Sequence, residues 1–62
     1  MQFTLTFSTD GDAFWTDGDG EVARILRDLA NKIEAEGAHP QSRTVRDING
    51  NTVGTYQLTE LA

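Results

Sequence analysis

A single apolar stripe sets the limits on what this chain can fold into. In "EVARILRDLANKIEAEG", Glu21 to Gly37, the residues Val22, Ile25, Leu26, Leu29 and Ile33 follow i, i+3, i+4, i+7, i+11 spacing, and Ala30 fills the gap. The far side carries Arg24, Arg27, Asp28, Asn31, Lys32 and Glu34. A helix with one apolar face needs a surface to lie on. The rest of the chain offers strands for that purpose. "MQFTLTFS" alternates, with Met1, Phe3, Leu5 and Phe7 on one face and Gln2, Thr4, Thr6 and Ser8 on the other, as a half-buried strand requires. "SRTVRDINGNTVGTYQL" reads as a hairpin about Asn49-Gly50, where both residues tolerate positive φ.

The expected fold class is therefore α+β, in the order β-α-β-β. One helix packs on one face of a three-stranded, mostly antiparallel sheet, in a single domain over residues 1–62. Strand one lies either antiparallel beside strand three or beside strand two through a right-handed crossover; the first is preferred, with strand three at the centre. Phe3, Leu5, Phe7, Val45 and Val53 are expected to meet Val22, Ile25, Leu26, Leu29 and Ile33. A three-residue loop, Ile48-Asn49-Gly50, with Gly50 in a bulge would pair Val45 with Val53. A two-residue turn would pair Val45 with Gly54 instead. The first choice leaves Tyr56 and Leu58 out of phase, and a second bulge at Gly54 would restore it.

Helix ends are readable. Asp17 is the expected N-cap, with Thr16 second. Asp19 and Glu21 then lie at the positive end of the helix dipole. Gly37 suits the left-handed C′ position, and His39-Pro40 reinforces the stop. Arg24 with Asp28, and Asp28 with Lys32, are spaced for i,i+4 ion pairs.

"GEVARILRDLANKIE" and "RDINGNTVGTYQL" resemble small uncharacterised proteins of bacteriophages and prophages from high-GC hosts. The resemblance covers about two-thirds of the chain. It implies a context: small phage accessory proteins commonly bind and inhibit host machinery, CRISPR and other defence effectors included. It supplies no catalytic residues.

Composition excludes several function classes. At 62 residues, without a single Cys, there is no disulfide framework and no thiolate zinc site. Ten acids against five Lys and Arg give a net charge of −5. That charge argues against direct nucleic-acid binding and for a partner with a basic surface. No apolar run approaches the roughly 20 residues of a membrane span, and no signal-peptide pattern opens the chain. The expected setting is cytoplasmic.

The acids concentrate between Asp10 and Glu21, around Phe14 and Trp15. Neither calcium-loop register fits them. Starting at Asp17 puts the twelfth ligand inside the helix, and starting at Asp10 puts Phe14 at the fifth position. A weak metal site from Asp10, Asp12 and Asp17 is a third reading, behind turn chemistry and docking. The glycines of "DGDG" precede a helix, but neighbouring acids repel a phosphate and no Lys assists. Ser8 and Ser42 lack a second His or a nucleophile elbow, and His39 reads as solvated. One helix on one sheet also offers no room for a typical pocket of several hundred Å³. The chain thus reads as non-enzymatic, with no cofactor and no metal.

Docking remains. The expected partner-binding residues are Trp15, Asp12, Asp17 and Asp19, with Phe14 folded beneath and Trp15 projecting among carboxylates. The competing reading is that Trp15 plugs the open end of a small core. A rival for the whole chain is a structural or self-associating homodimer, joined through its Thr-rich sheet face or an edge strand.

Overall fold

The computed structural model describes residues 1–37 and 41–59. The expected order appears: β1 (Gln2–Phe7), a 3-10 turn (Asp12–Phe14), α1 (Gly18–Glu36), β2 (Arg43–Arg46) and β3 (Thr52–Thr59). The sheet is antiparallel throughout and ordered β1-β3-β2, so strand three is central. One helix and three strands make an α+β fold.

Local chemistry accounts for the ends of α1. Asp17 caps it, accepting a 3.0 Å bond from the Gly20 N–H at Oδ1. Such a cap contributes about 1 kcal/mol. A Cβ at residue 20 would lie 2.7 Å from Asp17 Cγ, so a larger residue there would have to displace the capping side chain. Gly37 closes the helix with φ 79°, and its N–H returns to the Ile33 carbonyl at 2.8 Å. The expected stop at His39-Pro40 lies outside the described residues.

The hairpin loop is the expected Ile48-Asn49-Gly50. Gly50 has φ 84° and donates to the Asp47 carbonyl at 3.0 Å, while the Asp47 N–H reaches the Asn51 carbonyl at 3.0 Å. The expected Val45–Val53 pair does not form. Val45 stands opposite Gly54, Arg46 stands opposite Thr52, and Val53 is the extra residue between them. This second bulge, beside Gly54, brings Tyr56 onto the same face as Val45. Both side chains are buried. Burial of Tyr56 outweighs a valine–valine pair, because an aromatic ring removes more apolar area from water.

The core is Phe14, Ile25, Leu29, Val45 and Tyr56, with Leu5, Phe7, Ala13, Val22, Ile33 and Val53 packed around it. Two expected core residues are largely outside it: Leu26 is 46% exposed and Phe3 45%. Leu26 stands about 100° around the helix from Ile25. The helix turns its Glu21–Ile25–Leu29 line inward, all three being buried. Leu26 is left on the flank. Phe3 lies near the start of the edge strand, where it touches Tyr56 at 6.3 Å between ring centroids but has cover on one side only.

Candidate functional site

The β1–α1 connection builds an acidic, aromatic corner. Its scaffold is the 3-10 turn, in which Phe14 N–H bonds the Gly11 carbonyl at 3.0 Å and Trp15 N–H bonds Asp12 at 3.1 Å. Successive side chains on such a turn point about 120° apart. Phe14 enters the core, 7% exposed, and stacks on Phe7 with centroids 6.5 Å apart. Trp15 is thereby turned outward and is 75% exposed. It does not plug the core; Phe14 does. Asp10, Asp12, Asp17 and Asp19 are all exposed along the same connection. Asp10 accepts from Ser8 Oγ at 3.1 Å, and Asp17 is engaged in the cap. The side-chain carboxylates of Asp12 and Asp19 carry no hydrogen bond or ion pair among the described residues.

Behind the corner lies a polar junction that sequence reasoning missed. Glu21 is buried in the first turn of α1. Its carboxylate accepts from Arg24 Nε at 2.6 Å, Arg24 Nη2 at 3.0 Å and the backbone N–H of Ile48 at 2.8 Å. One carboxylate therefore ties the helix N-terminus to the hairpin loop, and Ile48, itself exposed, stands at the same end of the molecule as Trp15. Arg24 was expected to pair with Asp28 and pairs with Glu21 instead. Asp28 keeps its expected partner, Lys32, at 3.3 Å. A signal for Glu21 was present: it stands at i−4 from Ile25, on the buried line of the helix. Asp47 is buried beside it, accepting from the N–H groups of Asn49 and Asn51, both at 2.9 Å. Asp at the first position of a turn is the signal there.

The Glu21 carboxyl is held below the ordinary carboxylate range. The Arg24 hydrogen bond is the largest cause, burial opposes it, and the Ile48 N–H adds to the lowering. Arg24 is raised in turn, first by its bond to Glu21. A carboxyl lowered on folding stabilises the fold fully above its unfolded value, near 4.3, and loses that contribution as pH falls through the folded value. Glu21→Gln should accordingly unfold at lower urea than the parent chain at pH 7. The difference should shrink steadily below about pH 4. A difference in midpoint that stays constant from pH 7 to pH 3 would show that the Glu21 charge does not support the fold.

At the opposite end of α1 a depression of about 470 Å³ opens, against the expectation that no such space exists. Lys32, Glu36, Ser42, Arg43, Thr44 and Tyr56 line it. It is open to solvent, its charges are of mixed sign, and Glu36 faces Arg43 at 3.8 Å. Among the described residues Ser42 has no hydrogen bond to the lining Lys32 or Glu36, and Glu36 is directed at Arg43. Among the described residues no cluster of His, Cys, Asp and Glu is arranged to hold a metal ion, and no helix is long and apolar enough to cross a membrane. The chain matches no family model, no curated protein and no solved structure.

Proposed function

We propose that this chain is a non-enzymatic protein-binding module that docks through the Trp15 corner onto a basic, partly apolar surface of a host protein. Its resemblance to phage and prophage proteins supports a role as an accessory protein or inhibitor of host machinery, defence effectors included, acting in the cytoplasm. The observation that carries the reading is the outward Trp15 beside the inward Phe14. A domain this small has few large side chains for its core. Leaving Trp15 three-quarters exposed on a hydrogen-bonded turn gives up burial that an interface would recover. Asp12 and Asp19 add negative charge that speeds encounter with a basic partner, while the aromatic slows release.

The test is capture from host lysate on the immobilised chain, followed by kinetics on the purified partner. Trp15→Ala should stay folded, since Phe14 holds the core, and should raise the dissociation rate by about 30-fold, the equivalent of about 2 kcal/mol. Asp12→Asn with Asp19→Asn should mainly lower the association rate and its salt dependence. A folded Trp15→Ala chain with unchanged kinetics would move the interface off this corner.

A further inference from the structure

We propose that the free edge of β1 pairs with β1 of a second copy of this chain, antiparallel about a two-fold axis through Leu5, so that two three-stranded sheets become one of six strands. The order β1-β3-β2 leaves β1 and β2 as the edges, and the two are built differently. β2 carries Arg43 and Arg46 and lies against the bulge between Val45 and Arg46. Charge and irregularity of that kind deter a further strand. β1 has neither. It is six residues long, keeps an unbroken register with β3, and contains no charge, no Pro and no Gly.

Backbone direction selects the register. The Ser8 N–H donates to the Val53 carbonyl at 2.9 Å, so Ser8 faces β3. Facing alternates along an antiparallel ladder. Gln2, Thr4 and Thr6 therefore face β3 as well, and the 3.4 Å bond from Thr59 Oγ1 to the Gln2 carbonyl agrees. Phe3, Leu5 and Phe7 turn their N–H and C=O groups to the open edge. Their side chains lie on the face that carries Phe14 and Tyr56. A two-fold through Leu5 sets Leu5 opposite itself, Phe3 opposite Phe7 of the second copy, and Thr4 opposite its Thr6. Apolar then meets apolar, polar meets polar, and every outward backbone group within β1 finds a partner.

Cover and charge point the same way. The helix packs over the 3-10 turn and β2 and leaves the β1 side of the sheet thinly covered, with Phe3 largely exposed and Leu5 and Phe7 only partly buried. A second β1 brings Phe7 against Phe3. Copies of net charge −5 repel each other. Met1 to Thr9 holds no Asp or Glu, so pairing along this edge brings no carboxylates of the strand together. The surface is separate from the Trp15 corner, and the docking reading stands or falls without it.

Sedimentation of the full chain tests the proposal. It should give a dimer at about 1 mM that dissociates on dilution toward about 10 μM. Thr4→Lys with Thr6→Lys, both on the exposed polar face, sets two pairs of like charges directly opposite and should weaken the dimer roughly tenfold. Thr4→Glu with Thr6→Glu weakens it likewise, and mixing the two double variants should restore it. Register is read by cysteine cross-linking, since the chain has none of its own. An equimolar mixture of Thr4→Cys and Thr6→Cys chains should oxidise to the mixed disulfide in preference to either like pair. A chain that stays monomeric at about 1 mM, or a dimer indifferent to both charge variants, overturns the pairing. Preferential Thr4–Thr4 cross-linking overturns the register.

Discussion

Gly54→Ala should leave little or no folded protein. Gly54 sits in the central strand opposite Phe7, and its φ is not positive, so the need for glycine is spatial. A Cβ at this position would come within 2.5 Å of Phe7 Cα and would also strike the Thr6 carbonyl. Both obstacles are backbone, so no side chain can swing aside. The two strands would have to separate where β1 and β3 are hydrogen-bonded. Overpacking against movable side chains costs about 1–3 kcal/mol, and a clash with fixed backbone lies at or beyond the top of that range. The whole domain has on the order of 5 kcal/mol to lose. Far-ultraviolet circular dichroism and a urea titration read the result directly. A variant with the parent midpoint would mean that β1 does not approach β3 as closely as described. Gly50→Ala makes a useful contrast. Nothing within 4 Å meets a Cβ there, and only the φ of 84° penalises it.

Leu29→Ala should cost about 2–5 kcal/mol, and Leu26→Ala about 1 kcal/mol or less. The two leucines belong to one stripe and differ in what covers them. Leu29 packs in the core with Ile25, Val45 and Tyr56, and truncating it leaves a void that so small a domain cannot easily close. Leu26 stands on the flank opposite Arg24, half in water already. Leu29→Ala should unfold at clearly lower urea than Leu26→Ala, the two differing by about 1 kcal/mol or more. Equal midpoints would show that α1 lies rotated toward Leu26 and away from the Glu21–Ile25–Leu29 line.

The residues that could be placed from sequence share a property: their chemistry is complete within a few neighbours. Asp17 caps α1 because a carboxylate can reach an N–H three residues on. Gly37 and Gly50 take positive φ because the helix end and the loop demand it locally. Alternation in "QFTLTF" makes a strand wherever it is laid down, and the apolar stripe makes a helix wherever it finds a surface. From those pieces the β-α-β-β order followed; the central place of strand three was one of two arrangements they allowed, and the β1–β3 pairing selects it. The acidic residues of the candidate corner were also legible, since their exposure follows from their charge.

Tertiary structure decided what neighbours could not. Phe14 and Trp15 are adjacent and both suited to a core. Phe14 is inside because the 3-10 turn points it at Phe7. Val45 had two plausible partners, and the bulge at Val53 sets it opposite Gly54, a register in which Tyr56 is buried on the same face. Leu26 and Leu29 fit one stripe equally well. Glu21 joins Leu29 on the buried line because its carboxylate receives the N–H of Ile48, 27 residues along the chain. Each of these outcomes is a choice among local conformations of similar energy. A contact distant in sequence settles it, and no short window of residues contains both partners of that contact.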